Sequence, residues 1–301
     1  MPRSMRVLIA TDGSEYSRAA VEMLMRLPLP RTAEAIVFSA TPELAPINVE
    51  HEGLMKQLDE EAERIVSKEA EQLGKHGWST RTLVREGHAA KEIVEAATEF
   101  QSDLVVVGLR GLMGMTQFLL GRVAQKAVKY TPCSVLVGRV RDESTGSAFV
   151  DADSTPARPL RVLLAYDGSN AAKAAVELFA SLPLRDRADV TALSVLTVAT
   201  TICGLDAVER RSDSWLLRKK KLRAELDMAA ARLRDATPDV TAVLRHGGPD
   251  ASRQILEAAR EFDVDLIVVG HKGKSAIKRF LLGSVANRVV HHADRSVLVV
   301  R

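Results

Sequence analysis

The chain repeats itself once, and that duplication constrains its fold more than any single motif. Residues 5–29, MRVLIATDGSEYSRAAVEMLMRLPL, lie over residues 160–184, LRVLLAYDGSNAAKAAVELFASLPL, with 14 of 25 positions identical. Later segments match as well: DLVVVGLRG at 103–111 lies over DLIVVGHKG at 265–273, and FLLGRVAQKAV at 118–128 over FLLGSVANRVV at 280–290. The period is about 155 residues, the size of a whole domain, whereas solenoid repeats run to about 20–50 residues. Two similar domains are therefore expected, over 1–140 and 160–301. The stretch 141–159, rich in Ser, Thr, Asp and Pro and without apolar periodicity, reads as the linker.

Within each half, short β-branched runs alternate with helical patterns. The first half has them at 6–10, 35–39, 79–85, 104–108 and 134–138; the second at 161–165, 190–196, 240–245, 266–270 and 297–300. Val105-Val106-Val107 and Ile267-Val268-Val269 are unbroken apolar runs, the pattern of strands covered on both faces of a parallel sheet. Ser14 and Ser169 stand where an N-cap would open the first helix of each half, whose apolar spacing (Ala20, Leu24, Leu27; Ala175, Leu178, Leu182) marks one buried stripe. The expected class is α/β, with two doubly wound, Rossmann-like five-stranded parallel sheets in tandem.

Composition narrows the function classes. With 46% hydrophobic and 27% charged residues, each half can bury its own core. No apolar run approaches the roughly 18 residues of a membrane span. The apolar run after the basic start, Val7 to Ala10, is too short for a signal peptide. The two cysteines, Cys133 and Cys203, lack metal-ligand or disulfide spacing, so the chain is expected to be cytoplasmic, with no metal site. The net charge of +3 divides into about −2 for residues 1–150 and +5 for the rest. The densest basic run, Arg218 to Arg223, reads as a solvated helix face, since no aromatic residues are interleaved to stack bases; neither nucleic acid nor membrane is an expected partner. Trp78 and Trp215 read as packing residues.

The most informative segment follows the fourth strand of the second half. It reads Gly270-His271-Lys272-Gly273, nine further residues, then Gly283-Ser284 and an amphipathic helix through Val285, Val289 and Val290. Glycines at a strand's carboxyl end let backbone N–H groups approach a phosphate closely. A helix opening there adds N–H donors and the positive end of its dipole, and Lys272, Lys274, Lys278 and Arg279 add mobile charge. Ligands of doubly wound sheets bind outside the carboxyl ends of the strands, where the winding reverses. Asp167, just past the first strand, would reach that crevice and accept from an adenine amino group or a ribose hydroxyl. His271 can touch a ligand or face solvent. Gly273-Lys274-Ser275 resembles the end of a P-loop, but the required first glycine would fall at Val268. No Gly-x-Gly-x-x-Gly follows a first strand, and neither a Gly-x-Ser-x-Gly elbow nor a His-Glu-x-x-His helix is present. His291-His292 lies near a helix C-terminus, where imidazole complements the dipole.

The Asp-Gly-Ser after the first strand, the Gly-2x-Gly-9x-Gly-Ser spacing and the closing strand SVLVV at 296–300 together resemble the universal stress protein family in its tandem two-domain form. The resemblance implies strand order 3-2-1-4-5, with ATP between the first strand and the glycine loop; whether Mg accompanies it is left open. Carried over by position, it places Ala165, Tyr166, Asp167 and Val195 at the base and ribose end and Gly270, Gly273, Gly283 and Ser284 at the phosphate end, with Lys272 and Val285 beside them. It also implies stress-response regulation by bound nucleotide and pairing of the two units as an internal pseudo-dimer through their last strands; further association of chains as a homodimer is left open. Slow ATP hydrolysis or self-phosphorylation is left open, but no catalytic residue is identified, because no base is oriented on an attacking water. A nucleotide-independent interaction module is the alternative.

In the first half Ala10, Thr11, Asp12, Gly108, Gly111 and Gly121 match the pattern, but Arg122 stands where the family has Ser or Thr. A guanidinium at a helix N-terminus opposes the dipole unless an anion lies beside it. Either Arg122 leaves a degenerate site, folded into the crevice or outward to solvent, or it pairs with a phosphate bidentately. Degeneracy is the expectation adopted, since Met113 and Met115 stand over Ser275 and Ile277.

Overall fold

A computed structural model of the protein describes residues 4–29, 33–43, 49–111, 120–140, 158–197, 213–248, 250–274 and 282–301. Cys203, Met113, Met115, Ser275, Ile277, Lys278 and Arg279 lie outside the described residues. The chain divides into two compact units, Met1–Thr155 and Pro156–Arg301.

The first unit runs β1 (Arg6–Ala10), α1 (Glu15–Arg26), β2 (Glu34–Thr41), α2 (Val49–Lys75), β3 (Ser79–Glu86), α3 (Ala89–Glu99), β4 (Leu104–Gly108), α4 (Arg122–Tyr130) and β5 (Ser134–Gly138). The second repeats it: β6 (Leu160–Ala165), α5 (Asn170–Ala180), β7 (Ala188–Thr197), α6 (Asp213–Arg234), β8 (Val240–Gly247), α7 (Ala251–Glu261), β9 (Leu266–Gly270), α8 (Ser284–His292) and β10 (Ser296–Val300). Every strand pair within the units is parallel. The order is β3-β2-β1-β4-β5 in the first unit and β8-β7-β6-β9-β10 in the second. The winding therefore reverses between β1 and β4, and between β6 and β9, and each reversal opens a crevice at the strands' carboxyl ends.

The unbroken apolar runs are the centres of these sheets. Val105, Val106, Ile267 and Val268 are fully buried, as are Leu8, Ile9, Leu163 and Leu164 on the neighbouring strands. Helices α1 and α5 open as expected: Ser14 Oγ accepts from the Ser17 N–H and Ser169 Oγ from the Ala172 N–H, each satisfying one orphan donor of the first turn.

Several boundaries differ from the periodicity. Strands β7 and β8 run on to Thr197 and Gly247, because Leu196 pairs with His246 and Thr197 with Gly247 in the ladder. Backbone pairing carries a strand past the point where side-chain pattern stops signalling it. In α5 Ala175 is fully buried as expected, but its large buried partner is Phe179, and Leu178 is half-buried. In α8 the buried stripe is Ala286, Val289 and Val290, while Val285 is exposed, which corrects the helix face expected for it. Arg158, expected in the linker, is anchored to the second unit: its guanidinium makes a bidentate pair with the buried Asp265 carboxylate at 2.6 and 3.0 Å, and the Arg161 N–H donates to the same group at 3.1 Å.

Trp215 packs with Leu196, Leu222 and Leu244, with Lys219 Nζ 5.3 Å from its ring centroid. Cys133 is buried. No described helix is long and apolar enough to cross a membrane.

One charge in the first unit is buried against its own kind. Glu69 of α2 is 6% exposed, and its carboxyl is raised above the ordinary glutamate value, first by burial and then by repulsion from Glu22 of α1, against the attraction of Arg18 and Lys68. Glu22 is raised too, by burial, with Arg18 opposing. A carboxyl raised in the folded state favours folding most below its unfolded value near 4.5 and loses that advantage as pH rises through its folded value. Glu69→Gln is accordingly expected to raise the melting midpoint by a few degrees at pH 7, a gain that shrinks toward pH 4.5. Melting curves across that range check it; a gain independent of pH counts against the buried-charge account.

Candidate functional site

The crevice of the second unit is built from the turn after β6, the loop after β9 and the first turn of α8. The turn leaves the sheet with the Tyr166 N–H donating to Leu193 O at 2.8 Å and Ser194 Oγ donating to Tyr166 O at 2.6 Å. Gly168 then takes a φ of +77°, where a side chain would be strained, and swings the chain into the cap of α5. The Tyr166 side chain is buried at this corner. Its hydroxyl is raised above the usual tyrosine value, mainly by burial and then by the negative field of Glu225 and Asp167.

Asp167 joins the two loops. Its Oδ1 accepts the Ser169 N–H at 2.9 Å and its Oδ2 the Lys274 N–H at 3.3 Å. A carboxylate has about four lone-pair sites, so these two bonds leave acceptor capacity toward the crevice. Ser169 Oγ, while capping α5, donates to Lys272 O at 3.1 Å, which draws the glycine loop onto the same cap.

The three glycines have different reasons to be there. A Cβ on Gly270 would lie 2.8 Å from Ala171 Cβ and 2.9 Å from the backbone of Ala171 and Ala172, so this position is set by the packing of α5 on β9. A Cβ on Gly273 would lie 2.9 Å from Asp167 Oδ2, inside the crevice itself. Gly283 is held by its N–H, which donates to His271 O at 2.7 Å, and a Cβ there would lie 3.3 Å from that same carbonyl.

Gly283 is also the N-cap of α8, and no side chain caps that helix. Helices α1, α5 and α7, by contrast, are capped by Ser14, Ser169 and Asp250. The first-turn N–H groups of α8 have no partner inside the helix, and the positive end of its dipole faces the loop. Ser284, its first residue, and Val285 are exposed. An uncapped helix start beside a glycine loop suits a phosphate group.

The remaining expected residues lie around this frame. Ala165 ends β6, and Val195 is half-buried on β7, opposite Arg245 of β8. Lys272 is half-buried. His271 is tied to the end of β10: its N–H donates to Val300 O at 2.8 Å and its ring Nδ1 lies 3.2 Å from the same oxygen. Burial first, then Arg301 and Lys272, push its imidazole below the usual value and favour the neutral ring. The ring is thus engaged with backbone. Among the described residues no cluster of three His, Cys, Asp or Glu side chains forms a metal site, and His291 Nδ1 bonds Asn287 O within its own helix.

Glu225 escaped sequence reasoning. It projects from α6 so that its Oε2 lies 3.3 Å from Lys274 Nζ, and a Cβ on Gly168 would meet the same two groups at 2.5 and 2.8 Å. Its local sequence, ELDMAA after a basic run, carries no sign of this. Only the return of α6 over the first loop brings it there.

The first unit has the same skeleton with a different lining. Asp12 Oδ1 accepts the Ser14 N–H at 3.1 Å, and a Cβ on Gly111 would lie 2.6 Å from Asp12 Oδ2. Ala10 ends β1, and Thr11 is buried, with its Oγ1 donating to Ser17 Oγ at 3.1 Å and accepting the Gly13 N–H at 3.2 Å. Gly108 is pressed on the Tyr16–Ser17 backbone, and the Gly121 N–H donates to Leu109 O at 2.9 Å. Gly121 caps α4 without a side chain, and Arg122, the first helical residue, is exposed. Ile65 of α2 stands over Gly13 where Glu225 stands over Gly168. Arg110, at the position of Lys272, is buried with its guanidinium 5.7 Å from the Tyr16 ring centroid.

A model of the Universal stress protein family matches residues 4–139 and again 160–301. A universal stress protein of Mycolicibacterium smegmatis is 28% identical over 98% of this chain and 96% of its own length. One from Methanocaldococcus jannaschii is 32% identical over 44% of this chain and 80% of its own. The crystal structure of a universal stress protein from Archaeoglobus fulgidus matches 99% of both chains with a TM-score of 0.69 at 19% identity, a likeness of fold.

Proposed function

The chain belongs to the universal stress protein family as a tandem of two such domains, and from that premise we propose that its second unit binds ATP and acts as a nucleotide-dependent regulator rather than a fast enzyme. The observation that carries the reading is the glycine loop set against the uncapped start of α8, with Gly273 and Gly283 leaving room where side chains would intrude. In this reading the first-turn N–H groups of α8, with the Ser284 hydroxyl, donate to the phosphates. Asp167 accepts from the ribose with the lone pairs that Ser169 and Lys274 leave over, and Tyr166, Ala165 and Val195 form the base end. A magnesium ion would travel with the phosphates as their counter-ion.

The regulator reading rests on the titratable groups of this crevice. Asp167 is held by two backbone N–H groups, the His271 ring lies against a carbonyl, and Glu225 is paired with Lys274. In this reading the lone pairs left on Asp167 serve the ribose and the other two groups are engaged elsewhere, so none of the three is left over as the base that fast hydrolysis needs.

The test is the nucleotide released by acid from freshly purified protein, per chain, before and after incubation with ATP and magnesium. About one ATP per chain is expected, from the second unit alone. About two would make Arg122 a phosphate ligand instead of the mark of a degenerate site. None, even after incubation, would overturn the ATP reading and leave the nucleotide-independent interaction module. If one is found, Arg122→Ser separates the versions of degeneracy: a second nucleotide would mean that the guanidinium blocks the first crevice.

A further inference from the structure

Helix α6 has two apolar lines, and its own unit uses one of them. Trp215, Leu226, Ala229, Ala230 and Leu233 are its buried side. On the opposite side Leu217, Lys221, Ala224, Met228 and Ala231 are all exposed. They are spaced alternately four and three residues apart, the heptad spacing that turns one line of side chains toward a partner helix. Leu217 at 67% and Met228 at 65% are the most exposed large apolar side chains among the described residues. Eleven residues are close to three turns, so the two stand on one line, about 16 Å apart. Arg218 and Glu225 flank that line on one side, Lys220 and Asp227 on the other. Asp227 holds Arg223 at 3.0 Å and Glu225 gives one oxygen to Lys274, whereas Arg218 and Lys220 have no ion pair among the described residues.

The duplication supplies a comparison. Helix α2 is the counterpart of α6: Leu73 is buried where Leu233 is, Ala70 where Ala230 is, and Ile65 stands over the first loop where Glu225 does. Its outer line at the matching positions is Gln57, Glu61, Arg64, Lys68 and Glu71, exposed and polar throughout. Glu61 pairs with Arg64 along it at 2.7 Å, in the manner of a solvated face. The outer apolar line is therefore peculiar to the second unit and not a requirement of the fold.

We propose that the outer face of α6 docks a second copy of this chain, the two helices packing antiparallel about a two-fold axis that passes between Leu222 and Arg223. This register lays Leu217 of each copy on Met228 of the other. Lys221 meets Ala224, whose small side chain leaves room for the lysine stem while the ammonium reaches water. Arg218 comes opposite Glu225 and Lys220 opposite Asp227, each pairing occurring twice. A parallel pair would instead set Lys221 against Lys221, like charge on like. The contact is isologous and closed, one surface serving both copies. A single helix pair buries little area, so the association is weak and reversible. It does not depend on nucleotide binding.

Sedimentation velocity of the full chain over a range of concentrations tests this. The native chain is expected to pass from monomer to dimer as concentration rises. Leu217→Glu, which would face Asp227, and Met228→Lys, which would face Lys220, are each expected to weaken dimerisation at least about tenfold. Both positions are exposed, so the melting midpoint should stay native. Gln57→Glu, at the matching place in α2, should leave dimerisation unchanged. Lys220→Asp and Asp227→Lys should each weaken it about threefold to tenfold, and the two together should restore it, because the swapped charges again face each other across the axis. A native chain that is monomeric throughout, or a dimer indifferent to Leu217→Glu and Met228→Lys, would overturn the proposal. Single charge swaps without effect, or a double swap that stays weak, would overturn the antiparallel register. A monomeric chain that floats with phosphatidylglycerol vesicles, and loses them in Leu217→Glu, would overturn the proposal and give the face to anionic lipid.

Discussion

Replacing Gly270 by valine is expected to lower the melting midpoint of the second unit by about 6–12 °C, as measured by scanning calorimetry. The new Cβ would start 2.8 Å from Ala171 Cβ and 2.9 Å from the backbone of Ala171 and Ala172, and backbone cannot step aside as the end of a flexible side chain can. Either α5 lifts off β9 or the strand shifts in a ladder where it is hydrogen-bonded on both sides, to β6 and β10. Overpacking of a close-packed core costs about 3 kcal/mol at the upper end of its usual range, and each 1 kcal/mol moves the midpoint of a unit this size by about 2–4 °C. Gly108 in the first unit, 2.7 Å from the Tyr16 and Ser17 backbone by the same construction, should behave alike. A midpoint unchanged by Gly270→Val would mean that the helix and strand are not in the close contact described.

Three residues on, the opposite result is expected. Gly273→Val should leave stability within about 0.5 kcal/mol of native while weakening ATP binding at least tenfold, because among the described residues the one neighbour its Cβ would meet within 4 Å is Asp167 Oδ2, at 2.9 Å. The branched side chain would fill the space through which backbone N–H groups reach a phosphate and would crowd the carboxylate assigned to the ribose. Calorimetric titration with ATP, paired with the melting curve, separates the two glycines. Equal loss of stability in both variants would make the loop a packing motif, and native ATP affinity in Gly273→Val would move the phosphates elsewhere.

In the sequence these glycines carry the same weight. Spacing alone groups Gly270, Gly273 and Gly283 as a phosphate loop; it cannot tell a glycine required by a helix pressed on a strand from one required by open space, since both lack a side chain for reasons lying on other elements. Ala171, which decides Gly270, is about a hundred residues away in the chain. Val285 shows a similar limit: its apolar character fits a buried stripe, but Ala286 occupies the buried face and leaves Val285 exposed.

The duplication, the strand and helix sequence of each unit and the Ser14 and Ser169 caps were legible in the chain alone, because repeats, periodicity and capping chemistry are local properties. The doubly wound pattern supplied the general place of the crevice, and the resemblance to a family the strand order. Tertiary structure decided what lines it. Glu225 reaches Lys274 because α6 crosses back over the first loop, Ile65 takes its place in the first unit, and Asp167 spends two of its lone pairs tying the loops together. Local pattern is written along the chain, whereas the charge and space of a binding site are sums over residues that meet only when the chain has folded.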